Sequence, residues 1–428
     1  MILPLMRIYL CCVVFFLLFS LPVYALDCKK NVPCAAASGL SFLSKIAPNT
    51  QGIDDVFGGS TDINNSTAMI GAPWDSGDGY HSGAVYVYEQ KEGHWVQTGR
   101  LQSKSPTGKA LFGSSIALKG DKLLVGAPGE RQGKLTSAGA VYIFEKNSKG
   151  VWQQQARLVA DNNQAGDFFG NAVAWAGTDA VVGAHLHDGK AIDSGMVYIF
   201  RQTAAATSWQ QITALEPTDG KAGTLFGNAL DADDTRLIVG AYGHEGQSPS
   251  GGAVYVYTKT RGQWTYSTML QPSARRAFAE FGWSVALNGN HLIVGAPYED
   301  QPNRGGGSGA AYVFQYDEVS TKWVEKSHLI YADATWQERF GASVAFVGDN
   351  AIIAAPYGVA YVFSPDVKGR YMQTGKLVGN YPAAGNLFSR TLASDGRTLL
   401  IGVPSLKNNS GVSGTAYLFS VQGAPLIK

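Results

Sequence analysis

A Phe-Gly dipeptide recurs along this chain, and fourteen residues after each copy comes a Gly-Ala-Pro-like triplet. The pairs begin at Phe57, Phe112, Phe169, Phe226, Phe281 and Phe340, with Phe388-Ser389 as a seventh, altered copy, at spacings of 55, 57, 57, 55, 59 and 48 residues. The triplets begin at Gly71, Gly126, Gly183, Gly240, Gly295, Ala354 and Gly402, so the offset of fourteen holds in all seven while the spacing between copies varies. A fixed offset inside a variable period indicates one structural unit repeated and joined by loops of free length.

Two more blocks complete each unit. One carries a tyrosine, at Tyr86, Tyr142, Tyr198, Tyr255, Tyr312, Tyr361 and Tyr417. The other opens on an aromatic residue (Trp95, Trp152, Trp209, Trp264, Trp323, Tyr371) and reaches a leucine six positions later, eleven residues before the next Phe. The blocks are short, β-branched or aromatic, and punctuated by Gly, Asn and Asp, as in the Lys119-Gly120-Asp121 turn; they read as strands. After the N-terminal segment no window shows a helical period of apolar residues. The sequence therefore predicts an all-β, seven-bladed β-propeller with four-stranded blades. The seventh unit ends at Phe419 without a fourth strand. Residues 41–46 supply one, because Ile46 lies eleven residues before Phe57. The N-terminal strand is thus expected to close the last blade and remove the open edge.

These blocks resemble the FG-GAP repeats of integrin α-subunit heads and of related bacterial exported proteins, over about residues 41–420. The resemblance implies a propeller whose ligands meet the face built from second-to-third-strand loops and blade crossings. One departure bears on metal. Calcium-binding integrin blades carry an Asp-x-Asp-x-Asp-Gly type loop between Phe-Gly and the triplet, and here the fourteen-residue offset leaves room only for a tight hairpin. Asp231, Asp233 and Asp234 are the nearest remnant. Hard cations require more oxygens than a short turn supplies, so these residues read as a solvated turn; no cofactor is expected, with calcium the alternative.

The N-terminus has the layout of a secretory signal: Arg7, an apolar run from Ile8 to Leu21, then small residues at Val23 and Ala25. An uncleaved anchor is the alternative reading. Cleavage after Ala25 would leave Cys28 and Cys34 as the last of the four cysteines, and in an oxidising compartment they are expected to pair. The expected organisation is a signal peptide at 1–25, an N-terminal segment at 26–40, the propeller at 41–422 and a tail at 423–428. Localisation follows as secreted or periplasmic. A formal net charge of +1 gives no electrostatic signature for nucleic acid.

Variable loops on a rigid scaffold are where binding residues concentrate. Candidates on the loop face are Trp74, Asp75, Asp78, His81, His185, His187, Asp188, His244, Glu245, Tyr298, Glu299, Asp300 and Arg304, joined by Arg275, Arg276, Trp336 and Arg339 from the crossings. A mix of aromatics, acids and arginines suits recognition of a cell-surface protein or glycan in an adhesion-type role. His185, His187 and His244 with Asp188 form an alternative metal set. No Gly-x-Ser-x-Gly elbow and no His-Glu-x-x-His occurs, so the chain reads as a binding module rather than an enzyme. A hydrolase of glycans or phosphoesters with its site at the central mouth, and an architectural envelope protein, remain the alternatives.

Overall fold

The computed structural model describes residues 34–36, 39–49, 55–203, 208–246, 248–301, 306–331, 337–356, 358–378, 388–404 and 414–421. They form seven antiparallel sheets, five built from consecutive strands paired in chain order and two that also take in an N-terminal strand. Blade 1 runs Ser60–Asn64, Thr67–Ala72, Ala84–Lys91 and His94–Leu101. The innermost strand of every blade packs beside the innermost strand of the next, which closes the sheets into a β-propeller. Every outermost hairpin carries one irregularity of register, such as that between Val87 and Tyr88. The extra residue increases the local twist of the blade.

The recurring aromatics are the core. Phe57, Phe112, Phe169, Phe226, Phe281, Phe340 and Phe388 are all buried. Each meets the third-strand tyrosine of its own unit at 5.3–5.7 Å between ring centroids, in edge-on or tilted geometry. Such pairs add roughly 0.5–1.5 kcal/mol beyond the area they bury.

Blade-to-blade contact explains the glycines. A β-carbon at Gly126 would overlap the carbonyl oxygen of Gly170 in the next blade, and the same holds for Gly71 over Gly113, Gly183 over Gly227, Gly240 over Gly282 and Gly295 over Gly341. Side chains beside these glycines lock the seam. Ser60, Ser115 and Ser284 Oγ and Asn171 Nδ2 donate to the next blade's glycine carbonyl, Asn228 Nδ2 donates to the Trp283 carbonyl, and Thr391 Oγ1 closes the ring onto Gly58. The seam between blades 6 and 7 departs in every respect. Ala354 and Ser389 replace the two glycines, and the Ser343 hydroxyl accepts from the Leu392 N–H instead of donating.

As expected, the N-terminal strand Leu40–Ile46 pairs with Thr415–Val421 and supplies the fourth strand of blade 7. The sequence did not foreshadow a second contact. Cys34–Ala36 pairs with Lys376–Val378 as a fifth strand on blade 6, so the N-terminal segment straddles the altered seam. Cys28 and residues 1–33, which hold the signal reading and one half of the expected disulfide, lie outside the described residues. No helix among the described residues is long and apolar enough to cross a membrane.

Gly126→Ala is expected to lower unfolding free energy by about 3 kcal/mol or more, because backbone has to shift to admit the methyl group. Gly133→Ala, at φ 58° with open space around it, is expected to cost only about 1 kcal/mol, from the left-handed backbone alone. Urea unfolding of the two variants checks the difference.

Candidate functional site

The two ends of the propeller differ in construction. One carries the tight first-to-second and third-to-fourth turns. The other carries the second-to-third loops and the crossings, and these are tied into a collar. The carbonyls of Tyr80, Thr136, Ile192, Pro249 and Gly306, one in each loop of blades 1–5, accept from the N–H of Lys109, Gly166, Gly223, Phe278 and Gln337 in the following crossing, at 2.7–3.1 Å. Parallel bridges from Gly83 to Phe112, and at the equivalent points of blades 2 to 5, continue the link.

Beneath the collar each of these five blades holds a buried polar lock. The residue four after the triplet glycine (Asp75, Glu130, His187, His244 or Glu299) is turned inward by two backbone bonds. Its N–H reaches the triplet alanine and its carbonyl receives the glycine before the third strand, as in Asp75 N–H to Ala72 and Gly83 N–H to Asp75. In blades 1, 2 and 5 this residue is an acid that accepts the third-strand tyrosine hydroxyl: Tyr86 to Asp75 at 2.8 Å, Tyr142 to Glu130 at 2.6 Å and Tyr312 to Glu299 at 2.6 Å. A fourth-strand base completes it: Arg100 grips both oxygens of Asp75, Arg157 binds Glu130, and His328 Nε2 lies 3.0 Å from Glu299. Blades 3 and 4 reverse the polarity. The loop residue is histidine and the crossing provides the partner. His187 sits between Asp167 and Asn162 at 3.0 and 3.1 Å, with Tyr198 on Asn162. His244 lies 2.9 Å from Asp219, which also accepts the Tyr255 hydroxyl.

The expected ligand face therefore divides. Asp75, His187, His244 and Glu299 were expected to face solvent and are instead at most 3% exposed, because the loop backbone turns them under the collar. Arg276 is held with them, 3.2 Å from Glu299. Asp188 and Asp300 cap their own loops by accepting the N–H of Asp193 and Gly307. Asp78 is exposed and pairs with Arg100 at 3.0 Å, and Glu245 and Arg275 are exposed on the same face. Arg304 and Trp336 lie outside the described residues.

What faces outward is aromatic. Trp74 is 39% and Tyr80 63% exposed, and His81 lies between them. Its ring stacks on Trp74 at 5.1 Å and 13°, and on Tyr80 at 3.9 Å and 20°. His81 adopts φ 51°, the left-handed conformation that folds the tip back and brings the three rings together. Across the face, between blades 5 and 6, a pocket of about 320 Å³ is lined by Phe278, Glu280, Tyr298 and Arg339. Arg339 covers the Tyr298 ring at 5.0 Å, and Trp283 packs on Tyr298 from another side at 5.9 Å. Burial pushes the Glu280 carboxyl up to about 7, against the pull of Arg339, and its Oε2 has no hydrogen-bond partner. Sequence reading missed Glu280. The signal was present: the residue before the recurrent Phe is apolar at Val56, Leu111, Phe168 and Leu225 and becomes charged only at Glu280 and Arg339.

The metal candidates do not converge. Asp231 accepts the backbone N–H of Ala232 and Leu287, Asp233 holds Arg236, and Asp234 pairs with Lys119. Both ring nitrogens of His187 are engaged. His185 is half-buried beside Phe168, and desolvation of its ring pushes the imidazole down to about 4. Among the described residues no group of three or more His, Cys, Asp or Glu is placed to hold a metal ion.

The FG-GAP repeat family model matches residues 41–88, 95–144, 152–200, 209–257 and 264–314, more than half of the chain. This chain belongs to the FG-GAP repeat family. Human integrin alpha-11 is 38% identical over 93 residues, 20% of this chain but only 7% of that protein. Among solved structures, a Bacteroides fragilis protein assigned as a 6-phosphogluconolactonase superposes with a TM-score of 0.49 at 10% identity, covering 74% of this chain and 82% of its own; this likeness carries no functional argument. The FG-GAP propeller thus has the integrin-like repeat and its own set of polar locks.

In blade 1 of this FG-GAP propeller, burial works against ionisation of Asp75, but Arg100, the Gly77 N–H and Tyr86 outweigh it and hold the carboxyl below its ordinary value. A depressed folded-state pKa contributes stability that is present above the unfolded value, about 4, and lost as pH falls through the folded one. Asp75→Ala, which strands Arg100 and Tyr86, is expected to cost about 2–4 kcal/mol at neutral pH. The deficit relative to wild type should shrink as pH falls below about 4. Denaturation midpoints across pH check both.

Proposed function

We propose that this FG-GAP propeller is an exported binding module of adhesion type that recognises a cell-surface protein or glycan through its loop face. The observation that carries the reading is the exposed Trp74–His81–Tyr80 stack. Three rings are ordered by one loop on a collar that is hydrogen-bonded all the way from blade 1 to blade 6. Planar aromatic faces held without loss of side-chain freedom are the groups that anchor protein partners and sugar rings. Arg100 and Asp78 lie at the edge of the stack and supply polar contacts. The integrin-type repeat supports a protein-binding role. Export through the N-terminal segment is part of the proposal.

A second reading has one feature in its favour. Glu280, raised to about 7 in a pocket beside Arg339, has the character of a general acid. A hydrolase reading places its site there rather than on the central axis.

The test is a binding screen of residues 26–428 against glycan and host-surface-protein arrays, with calcium and with chelator. A saturable hit is expected. Trp74→Ala and Tyr80→Ala should each weaken it by about tenfold or more while shifting stability by less than about 0.5 kcal/mol. A blank in both buffers, or a hit indifferent to both substitutions, sinks the loop-face reading. Turnover of a glycan or phosphoester lost in Glu280→Gln would establish the second.

A further inference from the structure

A second cavity lies at the opposite end of the molecule from the aromatic collar. It is about 570 Å³, is lined by the innermost strands of all seven blades, and reaches the tight-turn face at Asn64, Asn288 and Asp395. Its wall mixes exposed polar groups with apolar side chains, among them Val173, Leu230, Val344 and Leu392 at corresponding heights. Three acids line it, Asp395 at the turn face and Asp62 and Asp231 on the innermost strands. The latter two occupy the position five residues after the recurrent Phe, where the other five blades carry Ala117, Ala174, Ala286, Ala345 and Ala393. They sit three blades apart in a ring of seven, and so face the axis from roughly opposite sides.

Both carboxylates are aimed by backbone. Asp62 accepts the N–H of Ile63 at 2.8 Å and of Leu118 in the next blade at 2.6 Å, and Asp231 accepts Ala232 at 2.8 Å and Leu287 at 2.7 Å. A carboxylate has about four acceptor sites, so each retains free lone pairs. Five blades close without this carboxylate, so ring closure does not call for it. Among the described residues, no cation is paired with either carboxylate. The one basic residue among those lining the cavity is Lys119, and its Nζ is turned onto Asp234 at 2.9 Å and the Gly177 carbonyl at 3.0 Å. Burial pushes Asp62 up to about 7, with Asp231 and Asp395 adding repulsion, and pushes Asp231 up to about 6. Two like charges facing one another across a cavity are unfavourable unless paired.

We propose that this axial cavity binds a linear aliphatic amine, its ammonium groups pairing with Asp62 and Asp231 and its methylenes lying against apolar lining side chains such as Val173, Leu230, Val344 and Leu392. A hard divalent ion suits the site less well. Such ions take six to eight oxygens, whereas these two carboxylates stand on opposite sides of the axis, and among the described residues no three acids or histidines are grouped to hold a metal ion. The site stands apart from the loop face and does not depend on the function proposed there.

The experiment is calorimetric titration of residues 26–428 with 1,4-diaminobutane and with spermidine. Saturable binding at one site is expected. Asp62→Ala and Asp231→Ala should each weaken it by about tenfold, and the double variant should abolish it. Alanine is what five blades already carry at this position, so the variants are expected to keep the circular-dichroism spectrum and a cooperative melt. Trp74→Ala should leave amine binding unchanged, which separates this site from the loop face. The proposal is overturned by absence of saturable binding, by binding that survives in the folded double variant, by equal binding of the uncharged 1,4-butanediol, or by calcium displacing the amine stoichiometrically.

Discussion

Backbone meets backbone at the seams between blades, with the triplet glycine of one blade lying against the Phe-Gly carbonyl of the next. The rest of the architecture depends on that approach. It sets how close neighbouring sheets can come, and so how deeply each recurrent Phe is buried beneath its tyrosine. It also brings the flanking Ser, Asn and Thr side chains within reach of the next blade's carbonyls. At the seams of blades 1–5 with their successors, a β-carbon on the triplet glycine would displace main chain; only the altered seam between blades 6 and 7 carries Ala354 and Ser389 instead. The fourteen-residue offset spans one hairpin within a blade, where the Gly58 N–H meets the Gly71 carbonyl and the Gly113 N–H meets the Gly126 carbonyl; it presents both halves of the seam contact at fixed places, while the linkers between units vary in length.

The same logic explains what was legible in the sequence. Strand number, blade number, the buried aromatics and closure by residues 40–46 follow from periodic positions, because a repeated contact leaves a repeated residue. The polar locks left no such trace. Asp75 and His187 occupy equivalent places but opposite chemical roles, and the groups that answer them come from the fourth strand in one case and from a crossing in the other. Reading loops as solvent-facing therefore assigned four locked residues to a ligand surface. The loops are exposed, but the one residue in each that carries the two backbone bonds is turned beneath them. Glu280 and Asp62 were visible in principle, each as one of two charged residues in an otherwise apolar column of the repeat, with Arg339 and Asp231 as the others.

The molecule has two ends of different character. The collar end is held by main-chain bonds between loop and crossing and displays aromatic rings. The turn end is made of short hairpins around a cavity that carries charge. Only the collar end draws on loop diversity; the turn end draws on single substitutions in the innermost strands, where the geometry is repeated sevenfold and one changed residue becomes conspicuous.

Closure by the N-terminal strand has a consequence in time as well as in space. Ile46 pairs with Ala416, so the first strand of the propeller waits for six further blades and most of the seventh before it finds its partner. Until then blade 7 has no outer edge strand and blade 6 lacks its fifth, and the altered seam between them has nothing laid across it. Assembly that begins with the local hairpins of blades 1–5 ends in a single long-range event, and pairings of such high sequence separation form slowly. The ring is therefore a structure that becomes complete all at once, when its seventh blade arrives, and a ring short of one blade would have no circle to join.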